Sequence, residues 1–220
     1  SDVCSSDLLS DAAYAALQPS LARLAAPVPV FVCGAKEFLG IAGVNVHRGC
    51  LALAERPQPV DLSRILEAAR RVVVLDGVGN ADNIGGVFRN AAAFGVDAVI
   101  LSSDCCDPLY RKAIRTSMGA ALTVPFARVE PWPEGIDRLH AAGFATIALT
   151  PAPDAAEMAS VAQSIGHGPT VLLLGHEGEG LSDSAFSRCT HRARIPTTSA
   201  VDSLNVTTAA SIAMYECFLG

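Results

Sequence analysis

The chain has 220 residues, half of them hydrophobic and 17% charged, which is enough apolar surface for one or two packed domains and too much for a disordered chain. Its apolar runs, such as 72–75 and 171–174, stop far short of the ~20 residues that span a bilayer, and no secretory signal pattern is read, so a cytoplasmic protein is expected. A net charge of −6 argues against an unselective nucleic-acid binder, whose affinity comes mainly from Lys and Arg, but leaves room for a local basic patch.

Residues 1–10, SDVCSSDLLS, lack an initiator Met and a periodic apolar pattern, and read as a non-native or disordered start. The pattern then predicts a helix at 12–24, a strand at 28–33, a short helix near Phe38 and a returning strand at 46–53. Together these make a small α/β unit over 11–55. Two prolines in ERPQPV break regular structure, so 56–70 reads as a linker with a short helix at 62–69.

Beyond Arg71, strand candidates at 72–75, 98–101, 122–126, 146–149, 171–174 and 193–195 alternate with helical patterns. Buried strands alternating with helices predict an α/β domain over 71–220, with a mainly parallel sheet covered by helices on both faces. Ligands of such sheets bind beyond the strand carboxyl ends, so the loops there carry the functional reading. The seven cysteines lack CxxC or Cys/His spacing; they read as reduced thiols, and no metal is expected.

Three loops stand out. The first, DGVGNADNIGGVFRNAAAFG, follows strand 72–75, and Asp82 or Asn83 is placed to cap a helix ending at Gly95. The dinucleotide fingerprint fails in it because the third glycine position holds Asp82, which would repel a pyrophosphate; this argues against a nicotinamide-dependent oxidoreductase. Arg89 follows Gly85 and Gly86 by one helical turn. Either it reaches over them toward Asn83, or the glycines serve close helix packing and Arg89 is an ordinary surface residue.

The second loop, GHEGEGLS, follows strand 171–174. Its glycines let a ligand approach backbone, and Glu177 is the carboxylate expected to point inward; a plain turn, with His176 a bystander, is the alternative. The third, TTSAVDSLNVTTAASIAMYE, follows Ile195. Asp202 or Ser203 is expected to begin a helix with Asn205 in its first turn.

In this order, and each at a strand end, NIGGVFRNAAAFG, LLLGHEGEGLS and IPTTSAVDSLNV resemble the three motifs of the SpoU (TrmH-like) branch of the SPOUT RNA methyltransferases. The segment GVNVHRGCLALAERP resembles the end of the L30e-like substrate-binding domain that precedes the catalytic domain in many members, here truncated. The resemblance implies a SPOUT fold with a C-terminal trefoil knot, a homodimer, S-adenosylmethionine as cofactor, and methyl transfer to a ribose 2′-hydroxyl of structured tRNA or rRNA. It maps the catalytic set onto Arg89, Asn83, Glu177, Ser203 and Asn205, and the cofactor contacts onto Leu174, Gly175, Gly180, Ile195 and Leu204.

The reaction needs orientation, removal of a proton and electrostatic guidance of a phosphate, for which Arg89 is the candidate clamp. Weaker RNA-binding candidates are Arg111, Lys112 and Arg115, at helical spacing, with His47 and Arg48 in the small unit. Motif three departs from the family pattern at Thr197 and Ser199, where Met and Gly are usual. A knotted RNA-binding protein with weak or no catalysis is therefore the alternative reading.

Overall fold

The structure, a computed structural model, describes residues 4–24, 28–43, 46, 48–58, 60–198, 200 and 202–220; His47 and Ser199 lie outside the described residues. The chain divides between Gln58 and Pro59 into two units.

The first unit contains β1 (Cys4–Ser10), α1 (Asp11–Leu21), β2 (Val30–Cys33), α2 (Ala35–Ala42) and β3 (Cys50–Ala54). Its sheet has the order β2-β1-β3, with β2 parallel and β3 antiparallel to β1. The segment expected to be a disordered start is thus the central strand. Asp7 and Leu9 are its buried alternate positions, and a polar residue at one of them hides the period-two pattern from a hydropathy reading. Ser10 then caps α1, its Oγ accepting from Ala13 N–H at 3.3 Å.

The second unit runs α3 (Leu62–Ala68), β4 (Arg71–Leu75), α4 (Ala81–Ala93), β5 (Ala98–Leu101), α5 (Arg111–Thr116), β6 (Phe126–Arg128), α6 (Gly135–Ala141), β7 (Ala145–Leu149), β8 (Ala156–Glu157), α7 (Met158–Ile165), β9 (Thr170–Leu174), α8 (Asp183–Arg188), β10 (His191–Arg194) and α9 (Val206–Phe218). Its seven strands lie in the order β6-β5-β4-β9-β7-β10-β8, and every described pairing is parallel.

Alternation along the central strands builds two cores. Val73, Leu75, Val99, Leu101, Leu172 and Leu174 face α4, α7 and α9, whereas Val72, Val74, Ala98, Ile100, Val171 and Leu173 face α3, α6 and α8. These strands are apolar on both faces because both faces are covered. Leu62 and Ile65 of α3 are buried in the second of these cores, so the helix expected within a linker is part of this unit.

Two boundaries differ from expectation. The strand expected at 122–126 begins only at Phe126, because Met118 and Gly119 take positive φ and lead into a 3₁₀ turn, Ala120–Leu122. The edge strand β8, two exposed residues, carries no hydrophobic pattern and was not expected.

Candidate active site

Parallel order brings the carboxyl ends of β4, β7, β9 and β10 to one edge of the sheet, and the loops that leave them converge there. Asp76, directly after β4, is buried. Its Oδ1 accepts from Trp132 Nε1–H at 2.7 Å, and its Oδ2 accepts from the Ser182 N–H at 3.0 Å and hydroxyl at 2.8 Å. One carboxylate thus ties the loop after β9 to the end of β4. Sequence reading passed over Asp76; the available signal was a charged residue immediately following the apolar run 72–75.

The loop after β9 folds back on itself. His176 N–H donates to Gly180 O at 2.9 Å, and Gly180 N–H returns to His176 O at 3.0 Å. At Gly175 a Cβ would stand 2.1 Å from Gly180 C and Leu181 N, so only glycine permits this crossing.

Opposite the loop, α4 begins at Ala81, with Asn80 rather than Asp82 or Asn83 as its cap: Asn80 Oδ1 accepts from Asp82 N–H at 2.9 Å. Asn83 is therefore inside the first turn, and its side chain is buried. Likewise α9 starts at Val206, not at Asp202 or Ser203. Asn205 is its cap, with Oδ1 accepting from the N–H groups of Thr207 and Thr208.

The two caps lead to one polarised chain. Because Asn205 Oδ1 accepts backbone N–H groups, its Nδ2 is the donor, to Asn83 Oδ1 at 3.0 Å; Asn83 Nδ2 then donates to Glu177 Oε1 at 2.7 Å. The Thr207 hydroxyl adds a donor to Asn83 Oδ1 at 3.3 Å. Residues from all three motifs meet in this chain, and it holds the Glu177 carboxylate by a charge-assisted bond.

Beside it lies a cleft of about 420 Å³, within the range of roughly 300–1,000 Å³ of small-ligand sites. Leu149, Thr150 and Pro151 form one side and residues 174–181 another; Asp183 and Phe186, Ile195 and Thr197, and Ser203, Leu204, Val206 and Ala209 complete it. Leu174, Gly175, Gly180, Ile195 and Leu204 all line it, as do Glu177 and Ser203. Phe186 and Thr150 escaped the sequence reading because neither sits in a motif.

Arg89 stands apart. It is exposed on α4 and does not line the cleft, and its guanidinium makes no hydrogen bond or ion pair among the described residues. The glycines before it serve packing: a Cβ at Gly86 would lie 2.5 Å from Thr207 Cγ2, and one at Gly85 would lie 2.6 Å from Ala113 O. Of the basic candidates on α5, Arg111 and Arg115 are exposed, whereas Lys112 is bound to Asp82 at 2.8 Å, an ion pair that raises its pKa. Arg48 is exposed in the first unit.

The six cysteines with described side chains carry free thiols. Burial pushes Cys217 up to about 12 and Cys189 up to about 11. Among the described residues there is no group of three or more potential metal ligands, and no helix long and apolar enough to cross a membrane.

Fold and cleft together define an α/β domain of the parallel-sheet type with a cleft of small-ligand size at the carboxyl edge of its sheet. A model of the SpoU rRNA Methylase family matches residues 70–215, and the chain belongs to that family of RNA methyltransferases. It is 40% identical over 207 residues to an uncharacterized tRNA/rRNA methyltransferase of Mycobacterium tuberculosis, covering 94% of this chain and 71% of the relative. It is 33% identical over 177 residues to a 23S rRNA (guanosine-2′-O-)-methyltransferase of Coxiella burnetii, covering 77% and 69% respectively. Among solved structures it resembles the SpoU methyltransferase AviRb of Streptomyces viridochromogenes in complex with the cofactor AdoMet. That likeness has a TM-score of 0.82 at 24% identity, over 98% of this chain and 82% of the other.

Proposed function

We propose that the chain is an S-adenosylmethionine-dependent methyltransferase that modifies a ribose 2′-hydroxyl of tRNA or rRNA. The observation that carries this reading is the Asn205–Asn83–Glu177 chain, which fixes a carboxylate at the rim of the cleft. The name of the Coxiella relative supports the ribose 2′-oxygen as the target.

The cleft fits the cofactor. Leu149, Leu174, Ile195, Leu204 and Val206 offer an apolar slot suited to a flat purine, while loop backbone and the Glu177 and Asp183 side chains offer polar partners for hydroxyl and cationic groups. Leu174, Gly175, Gly180, Ile195 and Leu204 would hold it, and when bound it supplies an electrophilic methyl group on a sulfonium.

The protein's part is orientation and charge. Glu177, which is hydrogen-bonded to Asn83, and Ser203, on the cleft wall, would orient the ribose. Arg89, a donor without an engaged partner among the described residues, takes the RNA phosphate next to the reacting hydroxyl. Arg111 and Arg115, with Arg48, give further phosphate contacts; Lys112 is already committed to Asp82.

The trefoil knot, the L30e-like character of the first unit, a cytoplasmic location and a homodimer that completes the site belong to the same proposal. The exposed Tyr110, Met118, Leu122, Tyr215 and Leu219 supply apolar surface for such a dimer.

Calorimetric titration with S-adenosylmethionine, with NAD as control, is the first test; saturable binding of the former alone is expected. Arg89→Ala should then lower methyl transfer to RNA by about 10²–10³-fold, the scale of one lost electrostatic donor. Its cofactor affinity should change by no more than about 0.5 kcal/mol, as for a surface substitution away from the cleft. Loss of cofactor binding in that variant overturns the assignment. Because Thr197 occupies the cleft wall, failure of the wild-type chain to bind S-adenosylmethionine favours the non-catalytic RNA-binding reading.

A further inference from the structure

The exposed loop that walls the cleft is held together by a side chain as well as by its backbone. His176 Nδ1 accepts from Gly178 N–H at 3.0 Å and from Glu179 N–H at 3.3 Å. A ring nitrogen that accepts carries no proton, so the imidazole is neutral and its hydrogen sits on Nε2. That Nε2 lies 4.0 Å from Glu177 Oε2, while Glu177 Oε1 is held by Asn83. The separation is too long for a hydrogen bond and acts as a charge–dipole contact. One carboxylate oxygen is therefore fixed to Asn83 beside the cleft, and the other faces the histidine.

We propose that His176, as the neutral Nε2–H tautomer, is a positioning residue of the methyl-transfer site: it folds residues 177–180 into the cleft wall and thereby aims Glu177 at Asn83. The inference rests on the methyltransferase reading above. It assigns a role to a side chain that the motif resemblance leaves without one.

A second proton, on Nδ1, would turn the acceptor into a donor facing two backbone donors and open the turn. Among the described residues, the titratable groups that share its loop or cleft, or stand beside Gly77 with it, are carboxylates. Glu177 and Glu179 share its loop, Asp183 lines the same cleft, and Asp104 stands with His176 Cβ beside Gly77. Their own titration must be separated from that of the histidine, and asparagine does this. Its Oδ1 can accept the same two N–H groups in an Asx turn, its amide keeps a donor, and it does not titrate.

The test compares wild type, His176→Asn and His176→Ala, each checked for native circular dichroism. Amide exchange at residues 177–180 is read alongside calorimetric titration with S-adenosylmethionine, at about pH 8 and about pH 5.5, which bracket histidine titration. At the higher pH, His176→Ala should exchange faster at Gly178 and Glu179 and bind the cofactor about tenfold more weakly, a loss of about 1.4 kcal/mol. His176→Asn should restore both. At the lower pH the wild type should weaken more than His176→Asn.

Unchanged exchange and affinity in His176→Ala would overturn the proposal, as would equal acid weakening in wild type and His176→Asn. If His176→Ala does not fold, the comparison of wild type with His176→Asn decides. A wild-type chain that binds no S-adenosylmethionine overturns the methyltransferase reading and this role with it. Binding with an unaltered loop in the variants overturns this role alone.

Discussion

Asn83 shows how a single amide can be made chemically one-directional. Its oxygen faces the donors of Asn205 and Thr207, and its nitrogen faces a carboxylate. Asn83→Asp would keep the shape and replace that donor with a second carboxylate, 2.7 Å from Glu177 Oε1. The expected loss is about 1–3 kcal/mol at neutral pH, the cost of a buried hydrogen bond left unmade. Because the two like charges disfavour joint ionisation, the variant takes up a proton as pH falls, and its deficit relative to wild type should shrink. Urea unfolding of both proteins at pH 7 and pH 5 checks this; a deficit independent of pH would contradict it. The sequence singled out Asn83, Glu177 and Asn205 individually. It could not show that they touch, since 94 and 122 positions separate them along the chain.

At the scale of elements, α4 is squeezed between α5 and α9, and at its two glycines these helices come too close to leave room for a Cβ. Gly85→Ala would gain helix propensity, about 1 kcal/mol, but its Cβ would meet Thr116 Oγ1 and the Ala113 carbonyl, which is backbone and cannot swing away. The expected net effect is destabilisation by about 1–3 kcal/mol, typical of overpacking. Gly40, in α2, is the contrast, because nothing lies within 4 Å of where a Cβ would stand and its φ is ordinary. Gly40→Ala should stabilise its unit by about 0.4–1 kcal/mol. Denaturant midpoints of the two variants should move in opposite directions. Here spacing suggested two roles for the glycines before Arg89, and only the neighbouring helices select packing. The starts of α4 and α9 also moved by a few residues, because several cap-competent side chains stand in a row and the backbone uses only Asn80 and Asn205.

For the whole molecule, the buried thiols set an alkaline limit. Unfolded thiols ionise near about 8.5, while in the fold Cys189 keeps its proton up to about 11 and Cys217 up to about 12. Between those values the folded state binds more protons than the unfolded state, so their contribution is intact below the lower value and is lost as pH rises through the window. The melting temperature should fall from about pH 9 toward about pH 11, and the fall should be shallower in the Cys189→Ala/Cys217→Ala double variant. Equal slopes in calorimetric scans would count against this account.

The sequence by itself determined the layered α/β character of the second unit, its apolar central strands, its strand-end loops and the motif residues. Each of these is written locally, in hydrophobic period, cap chemistry and glycine placement. It did not determine β1, whose buried face includes Asp7, nor the order β6-β5-β4-β9-β7-β10-β8. That order is a set of long-range pairings between strands that are all comparably apolar, so no local signal selects one neighbour over another. Only the tertiary structure decides that β4, β7, β9 and β10 end together, and that convergence joins residues of three separate motifs in one hydrogen-bonded chain, with its carboxylate at the rim of a cleft.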